Sequence, residues 1–185
     1  GNSASKGGAI YIANQKTATI NAINEDVLFQ NNTGTGQAVY LYDEGILNLN
    51  TAAGKSITID DTIKTEYNDT DGIHVNKGIT QTVGEETVTL YNEGTVAFND
   101  LINDTQGATR GRIHFHNGIL KLGTSTLGST STTYGKIEQG QFIVYNDTTT
   151  TPILDMIDGS VNNYINSNVI MNNTNLDWKL DVSAS

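Results

Sequence analysis

Three histidines are the residues of this chain whose type and spacing first suggest chemistry. His114 and His116 lie two positions apart in the stretch RIHFHNG, and His74 lies earlier in the chain. On a β-strand, residues two apart share one face, so both imidazoles would point away from Ile113 and Phe115. Two imidazoles bind a transition metal only when further ligands complete the site. We therefore predict a solvated outer face with Ile113 and Phe115 in the core, and we expect no metal and no cofactor.

Paired carboxylates are the second candidate group. Asp69 and Asp71 match the start of a calcium loop, but the third alternating ligand and the closing glutamate are missing. A turn in which these side chains bond to the backbone is the favoured interpretation. The stretch therefore predicts a turn and no calcium site.

An enzyme acting on polysaccharides would need clustered carboxylates on one face, often with a basic partner. The pairs Asp60–Asp61 and Glu85–Glu86 are adjacent in sequence, so on a strand their members point to opposite faces. Arg110 and Arg112 would share a face with the histidine pair, which gives a basic strip that could meet an acidic glycan. No acid partner for this strip is identifiable, so we expect no catalytic residues and no enzyme.

Glycine-rich stretches and the net charge argue against several further classes of protein. KGGAI at Lys6–Ile10 lacks the residue order of a P-loop, and GTGQAV at Gly34–Val39 lacks the third glycine of a dinucleotide fingerprint. Both stretches predict structural turns. The net charge of −10 argues against a nucleic-acid partner and against docking on anionic lipid.

The composition and the hydrophobic period favour β-structure. Only 16% of the residues are charged, and the chain has 19 Gly, 1 Pro and no Cys. Asn, Thr, Asp and Gly fill the difference, and they are poor helix formers. Alternation of apolar and polar residues predicts short strands with one buried face at Ser56–Asp60, Thr87–Tyr91, Arg112–His116, Ile119–Leu122 and Lys179–Val182. For Thr151–Ile165, a helix and a strand–turn–strand unit are equally compatible with the pattern.

Repeats in the sequence indicate how these strands are arranged. GGAIYI at Gly7–Ile12 is echoed by GQAVYLY at Gly36–Tyr42, and a second motif recurs as DEGILNLN, NEGTVAFN and HNGILKLG. Stacked coils of roughly 20 to 25 residues, about eight in all, would align the aliphatic residues into ladders. We therefore predict an all-β fold, a single-stranded right-handed parallel β-helix forming one repeat segment over residues 1–185. An antiparallel β-sandwich is the alternative, although hairpin signals are missing.

The paired motifs carry a family resemblance. GGAI at Gly7–Ile10 followed by FQNN at Phe29–Asn32 resembles the GGA(I/L/V) and FxxN motifs of chlamydial polymorphic outer-membrane proteins. NGILKLGTSTLG at Asn117–Gly128 is similar to the Gly-x-Leu-x-Leu strand repeat of type V autotransporter passenger domains. The resemblance implies a right-handed β-helix that is a fragment of a longer passenger. It also implies a location at the bacterial cell surface or outer membrane, or secretion, with delivery by a C-terminal membrane barrel outside these residues.

The function that the resemblance implies is adhesion and virulence. The segment would act as an adhesin or as its structural stalk, and the partner would be a protein or glycan on a host or neighbouring cell. A carbohydrate-active β-helix enzyme, either a lyase or a hydrolase, remains the alternative. Tyr11, Tyr40 and Tyr42 could form a contact surface, but stacking within the wall is the favoured interpretation. The binding residues stay unknown at this point.

Overall fold

The computed structural model describes residues 1–67, 71–105, 110–127, 131–145, 152–156, 163–172 and 177–179. Within these residues the chain forms β-strands and turns but no helix. For residues 125–127, 131–133 and 178–179 the backbone alone is described.

Three parallel sheets of six strands each form the wall of the molecule. The first sheet contains β2 (Ile10–Ile12), β6 (Val39–Tyr42), β9 (Ile63–Glu66), β14 (Leu101–Asp104), β19 (Lys136–Glu138) and β22 (Tyr164–Ile165). The second contains β3 (Thr17–Ala22), β7 (Ile46–Thr51), β10 (Gly72–Val75), β15 (Arg112–Phe115), β20 (Gln141–Tyr145) and β23 (Asn168–Asn172). The third contains β4 (Val27–Phe29), β8 (Ser56–Ile59), β13 (Thr95–Phe98), β16 (Ile119–Leu122), β21 (Ile153–Asp155) and β24 (Asp177–Lys179).

Three short pairs complete the set of strands in the described residues. The parallel pair β1 (Ser3–Lys6) and β5 (Thr33–Thr35) lies before the first sheet in each of the first two coils. Two antiparallel hairpins interrupt the repeat. They are formed by β11 (Ile79–Val83) with β12 (Glu86–Leu90), and by β17 (Thr124–Leu127) with β18 (Ser131–Tyr134).

The chain passes through the first, second and third sheets in this order and then repeats the order. Each pass adds one strand to each of the three sheets and completes one coil. This arrangement confirms the predicted parallel β-helix and excludes the antiparallel sandwich, because every pair within the three large sheets is parallel. The described residues form six coils, numbered 1 to 6, so the expectation of about eight is wrong. The reason is that coil length varies: register partners are 24 residues apart at Val39 and Ile63, but 39 apart at Ile63 and Ile102.

Aliphatic ladders fill the interior. In the first sheet one inward row aligns six aliphatic residues, and its central four are no more than 1% exposed: Val39, Ile63, Ile102 and Ile137. The other two sheets contribute matching rows, and Phe115 lies against Phe142 with ring centroids 6.3 Å apart. Burial of each large apolar side chain stabilises the fold by about 1.5–3 kcal/mol. The alternation that predicted strands at Arg112–His116 and Ile119–Leu122 therefore arises because every second residue of these strands belongs to a ladder.

The hairpin β11–β12 departs from the sequence-based expectation. The stretch Thr87–Tyr91 alternates, yet all of β11 and the first three residues of β12 are exposed on both faces. Val83 is 62% exposed, and the turn that follows it contains Gly84 at φ 67°. The pattern did not distinguish a hairpin that projects from the wall from a strand within the wall. The expectation that the chain contains no hairpin is therefore wrong, although the solenoid that it favoured is correct.

Repeated motifs stack where their sequences align. Ala38 follows the Gly36 turn as Ala9 follows the Gly7 turn, and the Ile10 amide donates to the Ala38 carbonyl at 3.0 Å. The glycine that opens HNGILKLG likewise lies one coil above the glycine that opens NEGTVAFN. The third copy, DEGILNLN, belongs to the second sheet and does not stack on the other two.

The two glycines of GGAI have different roles. Gly7 adopts a left-handed conformation at φ 61°, which turns the chain into β2. Gly8 has an ordinary backbone, but a Cβ atom there would lie 2.5 Å from the Gln37 carbonyl oxygen and 2.7 Å from that of Thr33. Backbone atoms of the next coil thus occupy the space that a side chain would need.

We expect Gly8→Ala to lower the free energy of unfolding by about 2 kcal/mol, because the added methyl group must push two coils apart. Gly54→Ala is the control. Gly54 is left-handed at φ 73° but has no atom within 4 Å of its Cβ position, so its cost is conformational only, about 1 kcal/mol. Urea denaturation of both variants measures the difference. An equal loss in the two proteins would contradict a close contact at Gly8.

The FxxN segment closes the next corner. Phe29 points inward, and Asn31 is left-handed at φ 59°. The buried Asn32 side chain donates to the Asp61 carboxylate at 2.6 Å and accepts from the Asn2 amide at 2.9 Å. Both asparagines thus contribute to the turn, one through its backbone and the other through its side chain.

Asn76 makes the most extensive buried side-chain contacts between coils. Its Oδ1 atom accepts from the Thr51 amide at 3.0 Å and from the Thr51 hydroxyl at 2.7 Å. Its Nδ2 atom donates to the carbonyls of Gly94 at 3.0 Å and Asn117 at 3.1 Å. These partners belong to coils 2, 3 and 4. The side chain is fully buried, so it ties three consecutive coils together without solvent.

Candidate functional site

The outer face of the second sheet carries a ring cluster formed by His74, His114, His116 and Tyr145. His74 and His114 are register partners in β10 and β15, and their rings stack with centroids 4.3 Å apart. His116, which follows β15, stacks on Tyr145 of coil 5 at 4.6 Å. The parallel register places these rings above one another because equivalent positions of successive coils are one strand spacing apart.

Hydrogen bonds fix the orientation of the rings. His74 Nδ1 lies 3.1 Å from His116 Nε2, so one ring donates to the other. His114 Nε2 lies 3.2 Å from the Asp71 carbonyl, which can only accept, so this nitrogen carries the proton. In neutral His114, Nδ1 therefore accepts from the Tyr145 hydroxyl at 3.0 Å. Hydrogen bonds thus join the rings in two pairs, His74 with His116 and His114 with Tyr145.

Burial keeps the imidazoles of His74 and His114 neutral. The three histidines are only 5–8% exposed. Desolvation, reinforced by the neighbouring imidazoles and Lys77, lowers the pKa of His74 to about 3. Desolvation also lowers the pKa of His114, although the bond to Asp71 acts in the opposite direction. The charged form is unfavourable because these rings contact one another and are no longer solvated by water.

The sequence-based expectation for these histidines is half right. His114 and His116 share a face, and Ile113 and Phe115 are fully buried in the core. The expected solvated face is wrong, since His74 and Tyr145 from neighbouring coils cover the pair. A signal was present in the sequence: GIHV and RIHF place His74 and His114 at the same position of similar strands.

The strip of positive charge expected from Arg110, Arg112 and the histidine pair differs from the prediction. His114 is held neutral, and the guanidinium of Arg110 lies over the ring of Tyr67 at 5.7 Å. In the part of the chain that the structure describes, no group of three or more His, Asp or Glu side chains is placed to hold a metal ion. Asp69, the first residue of the calcium-like stretch, lies outside the described residues.

The adjacent carboxylates are separated, as their spacing implied. Asp61 is buried against Asn32, while Asp60 accepts from the Asn99 amide at 2.7 Å. Glu85 and Glu86 are both exposed at the tip of the β11–β12 hairpin.

The tyrosines of the first sheet are mainly part of the wall. Tyr40 is 1% exposed and stacks on Tyr11 at 5.9 Å. Its hydroxyl donates to Glu66, which also accepts from Lys6 at 2.7 Å, and the Lys6 ammonium lies 4.7 Å from the centre of the Tyr40 ring. Of the three tyrosines considered from the sequence, Tyr11 has the exposed ring, at 48%. The cluster therefore stabilises the start of the rod more than it offers a site.

A groove lies on the outer face of the third sheet. It has a volume of about 250 Å³ and is lined by Thr58, Thr95, Ala97, Asn99, Lys121, Gly123 and Thr124. We call it the Lys121 groove. No sequence pattern indicated this groove, because its residues come from coils 2, 3 and 4.

No described residue belongs to a helix with the length and hydrophobicity of a membrane span. Comparison with known protein families, with curated proteins and with solved structures found no match to this chain.

Proposed function

We propose that this chain is a segment of a bacterial surface-exposed autotransporter passenger that acts as an adhesin or as its structural stalk. The motif resemblance supports this proposal, and so does the way the motifs are used: GGAI stacks on its echo and FQNN closes a corner of the same rod. The partner is a protein or glycan on a host or neighbouring cell, and the contact involves no covalent chemistry.

The observation that carries the adhesive role is the β11–β12 hairpin. It projects from a continuous wall, and both of its faces contact solvent. One face carries Ile79, Val83 and Val88, which are 37%, 62% and 39% exposed, and the other carries four threonines. A two-stranded hairpin with both faces in solvent is only marginally stable by itself. Because this hairpin adds little to the stability of the rod but exposes apolar side chains, a role in contacting a partner is supported.

Replacing Ile79–Leu90 with two glycines tests this role. We expect beads coated with the variant to attach to epithelial cells or bacteria several-fold less well than beads coated with the parent chain. The melting temperature should change by no more than a few degrees, since these side chains add little to the core. Val83→Ser with Val88→Ser is the matched variant that keeps the shape of the hairpin and removes two of its three exposed apolar side chains.

Undiminished attachment by both variants would exclude the hairpin as the contact element. The enzymatic alternative is tested in parallel by incubating the parent chain with acidic polysaccharides. We expect no new reducing ends and no unsaturated products, and clear turnover would overturn the purely adhesive role.

A further inference from the structure

The Lys121 groove exists because short residues interrupt a row of longer ones. Thr58, Ala97 and Lys121 are register partners in β8, β13 and β16, and all three occupy one outward-facing row. The methyl group of Ala97 lies between two longer side chains and leaves a depression. Gly123, just beyond β16, extends this depression because it has no side chain.

The far wall of the groove is held in place by hydrogen bonds. Asn99 Nδ2 donates to Asp60 at 2.7 Å, which fixes the amide. Its Oδ1 atom lies 2.2 Å from the position that a Cβ on Gly123 would take, so Gly123 is required there. The Gly123 amide also donates to the Phe98 carbonyl at 3.1 Å. The groove is therefore formed before any ligand arrives.

Lys121 supplies the charge of the groove. It makes no hydrogen bond or ion pair with any other described residue, whereas Lys6 is paired with Glu66. Lys121 is half-buried, and like the other half-buried lysines of the described residues it forms no ion pair, so its ammonium is available to an anionic ligand. Thr58, Thr95 and Thr124 also line the groove, and a threonine hydroxyl can both donate and accept a hydrogen bond.

We propose that the Lys121 groove binds one carboxylated sugar unit of a glycan. A single ammonium matches a single carboxylate, and the three hydroxyls with the Asn99 carbonyl match sugar hydroxyls. A volume of about 250 Å³ suits one monosaccharide. This inference rests on the proposed adhesive function, for which it names a ligand class.

The surrounding charge restricts the ligand further. Asp155 is the register partner of Lys121 in the next coil, and Asp60 lies behind Asn99. The chain as a whole carries −10. A densely sulfated polymer would be repelled, while an isolated carboxylate placed against Lys121 meets the cation that lines the groove. Weak single contacts become useful when a rod displays them in many copies.

The test is a titration of the isotope-labelled chain with sodium glucuronate, methyl glucoside and heparin, followed by amide and side-chain NMR shifts. We expect glucuronate to shift resonances of Thr58, Asn99 and Thr124 with a millimolar dissociation constant. Methyl glucoside and heparin should bind at least ten-fold more weakly. Equal binding of the neutral sugar, preference for heparin, or no shift with glucuronate would each overturn the proposal.

Variants locate the binding. Lys121→Met keeps the packed side-chain stem and removes the charge, and it should weaken glucuronate binding at least ten-fold. Lys121→Arg should retain most of the binding, and Lys64→Met, on the first sheet, should leave it unchanged. A cell-attachment assay separates this inference from the proposed function. If the chain attaches to cells but does not bind glucuronate, the groove proposal is wrong and the adhesive role stands. If the chain binds glucuronate but does not attach to cells, the adhesive role is wrong and the groove proposal stands.

Discussion

Substituting Asn76 with alanine should lower the free energy of unfolding by about 3–4 kcal/mol. The side chain satisfies two groups of Thr51 and the carbonyls of Gly94 and Asn117, all within the wall. Removal of the amide takes the acceptor from the Thr51 amide and hydroxyl and a donor from the Asn117 carbonyl, at a cost of roughly 1 kcal/mol or more each. The Gly94 carbonyl also loses a donor but keeps its bond from the Ile119 amide. Water cannot replace the amide easily, because Asn76 is fully buried. The loss is measured by urea denaturation monitored by circular dichroism.

Asn48→Ala is the matched control for this substitution. Asn48 also bonds to a neighbouring coil, donating to the Thr19 hydroxyl at 3.3 Å, but on an exposed face. Its loss should cost less than 1 kcal/mol, since water replaces the amide. Asn76→Asp is informative as well, because it keeps the acceptor for Thr51 but faces two carbonyls without donors. A loss below 1 kcal/mol for Asn76→Ala would show that the three coils are not tied at this point.

Acidification from pH 7 to pH 5 should destabilise the fold by about 2 kcal/mol through His74 alone. The pKa of His74 is lowered to about 3 in the folded chain, against 6.5 when the residue is solvated. Between these values the unfolded chain binds a proton that the folded chain does not bind. Stability is therefore complete above about pH 6.5 and falls as the pH drops towards 3, by about 1.4 kcal/mol per unit. His114, whose pKa is also lowered, acts in the same direction.

The measurement is the free energy of unfolding of the parent chain and of His74→Phe at pH 7 and pH 5. Phenylalanine keeps a flat ring that can stack on His114, although it loses the bond to His116. We expect the variant to be less stable at pH 7 but to lose clearly less stability on acidification. The charged groups that act on the two imidazoles, Lys77 on His74 and Asp71 and Arg112 on His114, are unchanged in the comparison. Identical pH dependence in both proteins would refute a role for His74.

The parts of this fold that could be predicted are those that depend on residues close together in the sequence. Alternation within RIHFH and ILKL predicted strands with the correct inward faces, because burial repeats every second residue. The echo of GGAI in GQAV predicted which segments stack, because identical corners need identical turn residues. The number of coils was wrong, because the length of each coil depends on turns and on two inserted hairpins that carry no ladder residues.

The candidate sites were harder to predict because they form across coils. His114 and His116 are local neighbours, but their burial depends on His74 and Tyr145, which join them only through the stacking register. The Lys121 groove depends on Ala97, a residue that looks unremarkable in its own strand. A sequence pattern shows which face a residue occupies, whereas the neighbours above and below it are set by the lengths of distant turns.

The bonding of Asn76 also bears on how the rod would carry mechanical load. Hydrogen bonds between successive strands run along the axis of a parallel β-helix, so tension between the chain ends is borne by the coils in series. Coils held by backbone ladders alone would peel off one at a time, and each would release a contour length of about 80 Å or more. Because one amide joins coils 2, 3 and 4, these coils resist peeling together and yield in a single larger step. In a filament that holds a cell against flow, such a step dissipates work that separate small ruptures would not.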